Sequence, residues 1–270
     1  MATTHDEARV TACVLIIGNE ILSGRTQDIN LAYLAKQLNE FGIQIREARV
    51  VPDIEAEIVS ALNEVRRKFD YVFTTGGIGP THDDITAECV AKAFAVPLIV
   101  SDEIAAIINS RPAAPDIMAA RMRMARIPQG GGIIKNPLGP HGFYIENVYV
   151  MAGIPRVMQA MVGTLEGQLR GGRSVRSRSV TAYLSEGHIA RRLGDIQDRH
   201  PHIDLGSYPF HRADRYGTTL VMRGTDEAGL EVMLGEVRAM IVDLGGEPLD
   251  DPPPGRGGHG ASNQSNHGNR

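Results

Sequence analysis

The chain has 270 residues, 42% of them hydrophobic and 22% charged, which bounds it as a soluble globular protein with one large core, or with one large and one small domain. Its net charge of −4 argues against general electrostatic binding to DNA or RNA, so no nucleic-acid partner is expected. Cys13 and Cys89 are the only cysteines; both sit in apolar runs and read as buried free thiols in a reducing compartment.

Residues 1–9 are polar and mixed in charge, and the apolar run Ala12 to Gly18 is too short for a signal or a membrane span. A cytoplasmic protein without membrane partners is expected. A first domain is expected over 8–168. Val10 to Ile17 is continuously apolar, as in a strand buried on both faces. Leu31, Leu34, Leu38 and Phe41 follow at helical spacing, with Gly42 placed to end the helix. Ile43 to Val51 predicts a second strand, and Ile54, Ile58, Leu62, Val65 and Phe69 a second helical stripe. Asp70 to Thr75 predicts a third strand, then a glycine turn and a helix over Ala87 to Ala95. Pro97 to Val100 reads as a short strand with Ser101 capping the next helix. Strands alternating with helices imply crossover units and a mainly parallel sheet in a three-layer α/β/α arrangement.

Asp116 to Ala125 predicts a helix rich in Met and Arg that Gly130-Gly131-Gly132 would end; Gly142 to Met151 alternates like a hairpin. Ala152-Gly153-Ile154-Pro155 then turns into a helix bearing Val157, Met161 and Leu165. A small α+β subdomain with the order β-α-β-β-α is expected over 173–247, after a hinge at Arg170 to Arg173. Residues 249–270, rich in Pro, Gly, Asn, Ser and His, predict a disordered tail.

The chemistry concentrates in two strand-to-helix connections. Thr74-Thr75-Gly76-Gly77-Ile78-Gly79-Pro80-Thr81-His82-Asp83-Asp84 offers bare backbone and hydroxyls for phosphate beside two carboxylates. Adjacent carboxylates would repel phosphate unless a divalent cation lay between them. Gly18 to Asn30 brings Glu20, Asp28 and Asn30 to the same sheet edge, and Asp53 follows the second strand there. Each residue also has a structural reading: Asp84, Asp28, Asn30 and Asp53 suit helix starts, and Glu20 suits a solvated loop. The Met118, Met122 and Met124 group reads as packing or as a flexible lid.

The pattern Gly18-x-Glu20-x-Leu22-x-Gly24-x3-Asp28-x-Asn30, followed by Thr74 to Thr86, resembles the molybdopterin-binding-domain family. Within it, the pattern follows the branch of competence/damage-inducible protein A and the molybdopterin-binding-like domain of eukaryotic FAD synthase. The resemblance implies a phosphate-bearing pterin or nucleotide ligand and self-association into a homo-oligomer. It implies a divalent-metal-dependent enzyme, Mg²⁺ being the expected ion. Pyrophosphate hydrolysis on dinucleotides such as ADP-ribose or FAD is favoured over adenylyl transfer to molybdopterin. A non-catalytic binding module is the alternative. Asp84 and Asp53 are then the expected metal and catalytic residues. Glu20, Asp28, Asn30, Thr75, Gly76, Gly77, Gly79, Pro80, Thr81 and Asp83 are the expected ligand contacts. Three stretches depart from the family pattern, Arg121-Met122-Arg123-Met124-Ala125, Gly139-Pro140-His141-Gly142-Phe143 and Ala152-Gly153-Ile154-Pro155.

Overall fold

A computed structural model describes residues 9–212 and 215–250, so the tail expected over 249–270 lies almost wholly outside the described residues. Contacts divide the chain into two compact units, one ending at Ser174 and one beginning at Val175.

The first unit runs β1 (Val10–Ile17), α1 (Asn19–Leu22), α2 (Asn30–Glu40), β2 (Ile43–Val51), α3 (Glu55–Lys68), β3 (Tyr71–Thr75), α4 (Thr86–Ala93), β4 (Leu98–Val100), α5 (Asp102–Asn109), α6 (Pro115–Met122), β5 (Arg126–Pro128), β6 (Gly132–Ile134), β7 (Gly142–Ile145), β8 (Val148–Met151) and α7 (Pro155–Gly163). Its main sheet has the order β2-β1-β3-β8-β7-β6. The pairs β1–β2, β1–β3 and β3–β8 are parallel, whereas β7 runs antiparallel to both β8 and β6. The expected mainly parallel α/β/α sheet is thus present.

The apolar run of β1 explains the layering. Cys13, Leu15 and Ile17 face one core with Ile58 and Leu62 of α3, Val90 of α4 and Ile104 of α5. Val10, Ala12, Val14 and Ile16 face the opposite core with Leu34 and Leu38 of α2 and Met158 of α7. Burying a side chain such as Leu15 contributes about 1.5–3 kcal/mol, so neither face of β1 tolerates water. Gly42 ends α2 with φ 74°, the left-handed conformation that glycine adopts without strain. The Ser101 hydroxyl accepts from the Ile104 amide at 3.4 Å, capping α5 as expected.

Two expectations change. The short strand after Pro97 leaves the parallel sheet: β4 pairs antiparallel with β5 in a separate two-stranded ribbon. Ile99 and Val100 are too exposed to belong to a central strand. The Met/Arg helix ends at Met122, passes through a 3-10 turn at Arg123–Ala125, and is followed by β5, not by Gly130 to Gly132. Buried Ile127 anchors that strand in the core, and its backbone bonds to β4 hold the segment extended.

The second unit runs β9 (Arg176–Ala182), α8 (Glu186–Arg199), β10 (Asp204–Arg212), β11 (Arg215–Gly224) and α9 (Glu227–Asp243). Its antiparallel sheet has the order β10-β11-β9. Val180, Leu220 and Met222 pack against Ile189 and Ile196 of α8 and Leu230, Met233 and Val237 of α9. This is the β-α-β-β-α order expected from the sequence. Among the described residues no helix is long and apolar enough to cross a membrane.

Candidate functional site

The chain leaves β1 for β2 on one side, and β3 lies on the other, so the carboxyl ends of β1 and β3 meet at the topological switch point of the sheet. A cavity of about 630 Å³ opens there. Glu20, from the connection after β1, and Asp84, from the connection after β3, both line it. Gly76, Gly77, Gly79 and Pro80 line it as well. The lining also includes the apolar side chains of Met124, Leu138, Ile154, Val157 and Met161.

The glycine turn has no room for side chains. Gly76 and Gly77 hold φ at 104° and 67°, and a Cβ on either would strike the Ile17 carbonyl oxygen or the Thr86 hydroxyl. Thr86 locks the turn from below: its hydroxyl donates to the Gly76 carbonyl at 3.0 Å and its amide to the Gly77 carbonyl at 3.0 Å. The Gly76 amide is engaged by the Met151 carbonyl at 3.2 Å, and the Thr81 amide by Asp84 at 2.8 Å. The amides of Gly77, Ile78 and Gly79 donate to no described protein acceptor. Within the stretch from Gly76 to Thr81 expected to hold phosphate, these three amides are the ones without such a partner.

Each carboxylate lies against a bare glycine. A Cβ on Gly79 would sit 2.5 Å from Asp84 Oδ2, and one on Gly18 would sit 2.6 Å from the Glu20 oxygens. The Thr81 amide and hydroxyl both donate to Asp84 Oδ2, which leaves Oδ1 with no described protein donor.

The other predicted residues are placed elsewhere. Asp53 Oδ2 accepts from the Asn19 amide at 2.8 Å, and Asp28 Oδ1 from the Leu31 amide at 2.9 Å. Orphan amides at the starts of α1 and α2 draw these two carboxylates, which are not among the cavity's lining residues. Asn30 is buried, with its Nδ2 donating to the Gly153 carbonyl at 2.8 Å. Thr75 is buried within β3, and Asp83 is exposed beside His82. Among the described residues no three His, Cys, Asp or Glu side chains converge as a metal cage.

Sequence reasoning missed Asn136 and His141, which line the cavity from the β6–β7 turn. The Asn136-Pro137 and Gly139-Pro140 dipeptides mark that turn but not its position beside the cavity. A smaller chamber of about 20 Å³ adjoins the glycine turn, lined in part by Glu88, Arg123 and Arg126. Arg123 donates to the Asp84 carbonyl at 3.3 Å, and Arg126 pairs with Glu88. Among the described residues, Arg123 and Arg126 line this smaller chamber, and no Lys or Arg lines the main cavity.

Comparison with known proteins places these features. Residues 13–170 match the family described as probable molybdopterin binding domain, and residues 174–244 match the FAD synthase middle domain. A protein of Archaeoglobus fulgidus is 31% identical over 197 residues, covering 73% of this chain and 84% of that one. A probable FAD synthase of Caenorhabditis briggsae is 28% identical over 261 residues, covering 87% of this chain but only 50% of the relative. The solved structure of the protein CinA from Thermoplasma acidophilum, described as of unknown function, is 32% identical with a TM-score of 0.55, covering 60% of this chain and 99% of that one. With the paired motifs at the switch point of a mainly parallel sheet, the chain belongs to the probable molybdopterin binding domain family, followed by a domain of the FAD synthase middle type.

Proposed function

We propose that the cavity binds a phosphate-bearing nucleotide or pterin, and that the chain hydrolyses the phosphoanhydride of dinucleotides such as ADP-ribose or FAD with a divalent cation. One observation supports this reading: the amides of Gly77, Ile78 and Gly79 donate to no described protein acceptor, and these residues line a cavity whose lining also holds two carboxylates and several apolar side chains. The amides suit a phosphate, the apolar side chains suit a flat ring, and the carboxylates suit a cation between themselves and the anion.

The donor set fits Mg²⁺. Asp84 and Glu20 offer hard oxygen ligands, and the Oδ1 atom of Asp84 has no described protein donor. With two carboxylates at the cavity, the remaining ligands would be substrate oxygens and waters, as is usual for Mg²⁺ at phosphate sites. When bound, the cation would offset charge growing on the leaving phosphate and make a bound water more acidic. The chain's own residues do the rest. The Gly77 to Gly79 amides hold the non-reacting phosphate. Thr81 fixes the Asp84 carboxylate through two hydrogen bonds. Asp53 fixes the start of α1, which carries Glu20. The name of the C. briggsae relative supports a flavin nucleotide among the candidate ligands.

The test incubates the full chain with ADP-ribose or FAD, with Mg²⁺ or with EDTA. Release of AMP should require Mg²⁺ and fall on the order of a hundredfold in Asp84→Asn. Binding of either dinucleotide without turnover, in the wild type and the variant alike, would favour a non-catalytic module. Consumption of ATP only with molybdopterin would favour adenylyl transfer. Failure to bind any of these ligands would sink the proposal.

A further inference from the structure

The chamber of about 20 Å³ beside the glycine turn has room for about one water-sized group. Gly77, Ile78, Gly79 and Asp84 line both this chamber and the main cavity, so the two hollows meet at the turn. Unengaged donors collect there. The amides of Gly77, Ile78 and Gly79 donate to no described protein acceptor. Arg123, which lines the chamber from the segment between α6 and β5, adds a fourth donor. Its Nη2 donates to the Asp84 carbonyl at 3.3 Å, which anchors the guanidinium beside the turn. Although the side chain is partly exposed, its Nε is buried and has no partner among the described residues. A buried donor in that position is costly unless something accepts from it.

The other charged and titratable groups at the chamber are engaged. Glu88 pairs with Arg126, and Arg123 stands 3.8 Å from the same carboxylate oxygen. Asp84 Oδ2 accepts from the Thr81 amide and hydroxyl. His141 accepts the Asn136 amide on Nδ1 at 2.9 Å and turns Nε2 to Glu103 at 3.4 Å. Among the described residues, Arg123 is therefore the cation at the chamber with a buried donor to spare.

We infer that the chamber is an oxyanion site, which takes one oxygen of the ligand's phosphate, and that Arg123 is a phosphate-binding residue there. Guanidinium–phosphate hydrogen bonds are charge-assisted, and the positive charge offsets the repulsion that Asp84 and Glu20 exert on an anion. The inference rests on the proposed reading of the cavity and deepens it. It adds a fixed positive charge to a site whose main cavity is lined by no Lys or Arg.

The test titrates the full chain with Mg²⁺–ADP-ribose and with Mg²⁺–FAD by calorimetry, at low and at high salt. Arg123→Met keeps the apolar stem and removes the charge and the donors. It should weaken whichever dinucleotide the wild type binds by roughly tenfold, the equivalent of about 1.4 kcal/mol. It should also flatten the salt dependence of binding, because the charge that salt screens is gone; a merely structural role would leave that slope in place. Arg123→Lys keeps the charge without the planar fork of donors, and should recover the slope and part of the affinity. Arg121→Met removes an equal charge from α6, where Arg121 donates to the Arg111 carbonyl outside both hollows, and should bind as the wild type does. Should Arg123→Met fail to fold, Arg123→Gln, which keeps an amide donor and loses the charge, takes its place with the same flattened slope expected. Undiminished binding or an unchanged slope in Arg123→Met, an equal loss in Arg121→Met, or no recovery in Arg123→Lys would overturn the inference and leave the reading of the cavity standing. A wild type that binds neither dinucleotide would instead sink that reading, and this inference with it.

Discussion

Asn30 donates its side-chain amide to the carbonyl oxygen of Gly153 at 2.8 Å, joining residues 123 positions apart in the chain. Gly153 lines the cavity, and a Cβ there would lie 3.3 Å from the Cα of Gly76. The buried Asn30 therefore ties the start of α2 to the loop after β8 and presses that loop onto the glycine turn. Asn30→Ala should destabilise the first unit by roughly 1–3 kcal/mol, because the Gly153 carbonyl loses its buried donor. Urea unfolding would show it. An unchanged midpoint would mean that the loop is held by packing alone.

The glycines of the turn should respond differently from glycines elsewhere. Gly76→Ala imposes a left-handed residue and a clash with the Ile17 carbonyl, so a loss of at least about 1–2 kcal/mol is expected, together with loss of ligand binding. Gly194, exposed in the interior of α8 with open space around it, should gain about 0.5–1 kcal/mol on substitution by Ala. Thermal melts of the two variants should move in opposite directions.

Acid should weaken the first unit through Asp70. The Thr11 amide at 2.8 Å, then the Thr11 hydroxyl at 2.9 Å and Arg170, hold this carboxyl below its ordinary range. A depressed folded-state value means that the ionised form stabilises the fold at neutral pH. That contribution is complete above the unfolded-state value and is lost as pH falls through the folded-state value. Stability measured from pH 6 downward should fall less steeply in Asp70→Asn than in the wild type. Parallel slopes would remove Asp70 from the explanation.

Both thiols should be silent in the native protein. Burial pushes Cys13 up to about 11 and Cys89 up to about 12, and neither forms a disulfide. A thiol reagent at pH 8 should label neither until denaturant is added, and then both. Because the folded-state values are raised, the stability tied to the neutral thiols is present below an unfolded value of ~8.5 and fades as pH rises toward about 11 to 12. Rapid native labelling at pH 8 would show that the core around β1 opens locally.

Much of the architecture was legible because burial and periodicity are local properties. The run of Val10 to Ile17, apolar but for Thr11, reads as a strand covered on both faces, and both cores meet it. Gly42 signals the end of α2 by composition alone. The strand at Leu98–Val100 was legible, but β5 and the pairing of the two were not, since a three-residue strand carries no period and its partner is set by which backbone groups lie nearby.

The same limit separates the two halves of the site. Sequence by itself determined that glycines, threonines and carboxylates gather at the carboxyl ends of β1 and β3, because strand and helix patterns fix where each connection emerges. Only the tertiary structure decided which carboxylates face the cavity. Asp28 and Asp53 turn to unsatisfied amides at helix starts, while Asp84 and Glu20 settle against bare glycines and remain beside the cavity. Only the fold, too, delivers Asn136 and His141 to the cavity lining, through a hairpin that joins the sheet beyond β8. The direction of a side chain at the end of a strand depends on the nearest unpaired donor, and that donor often belongs to a segment far away in the chain.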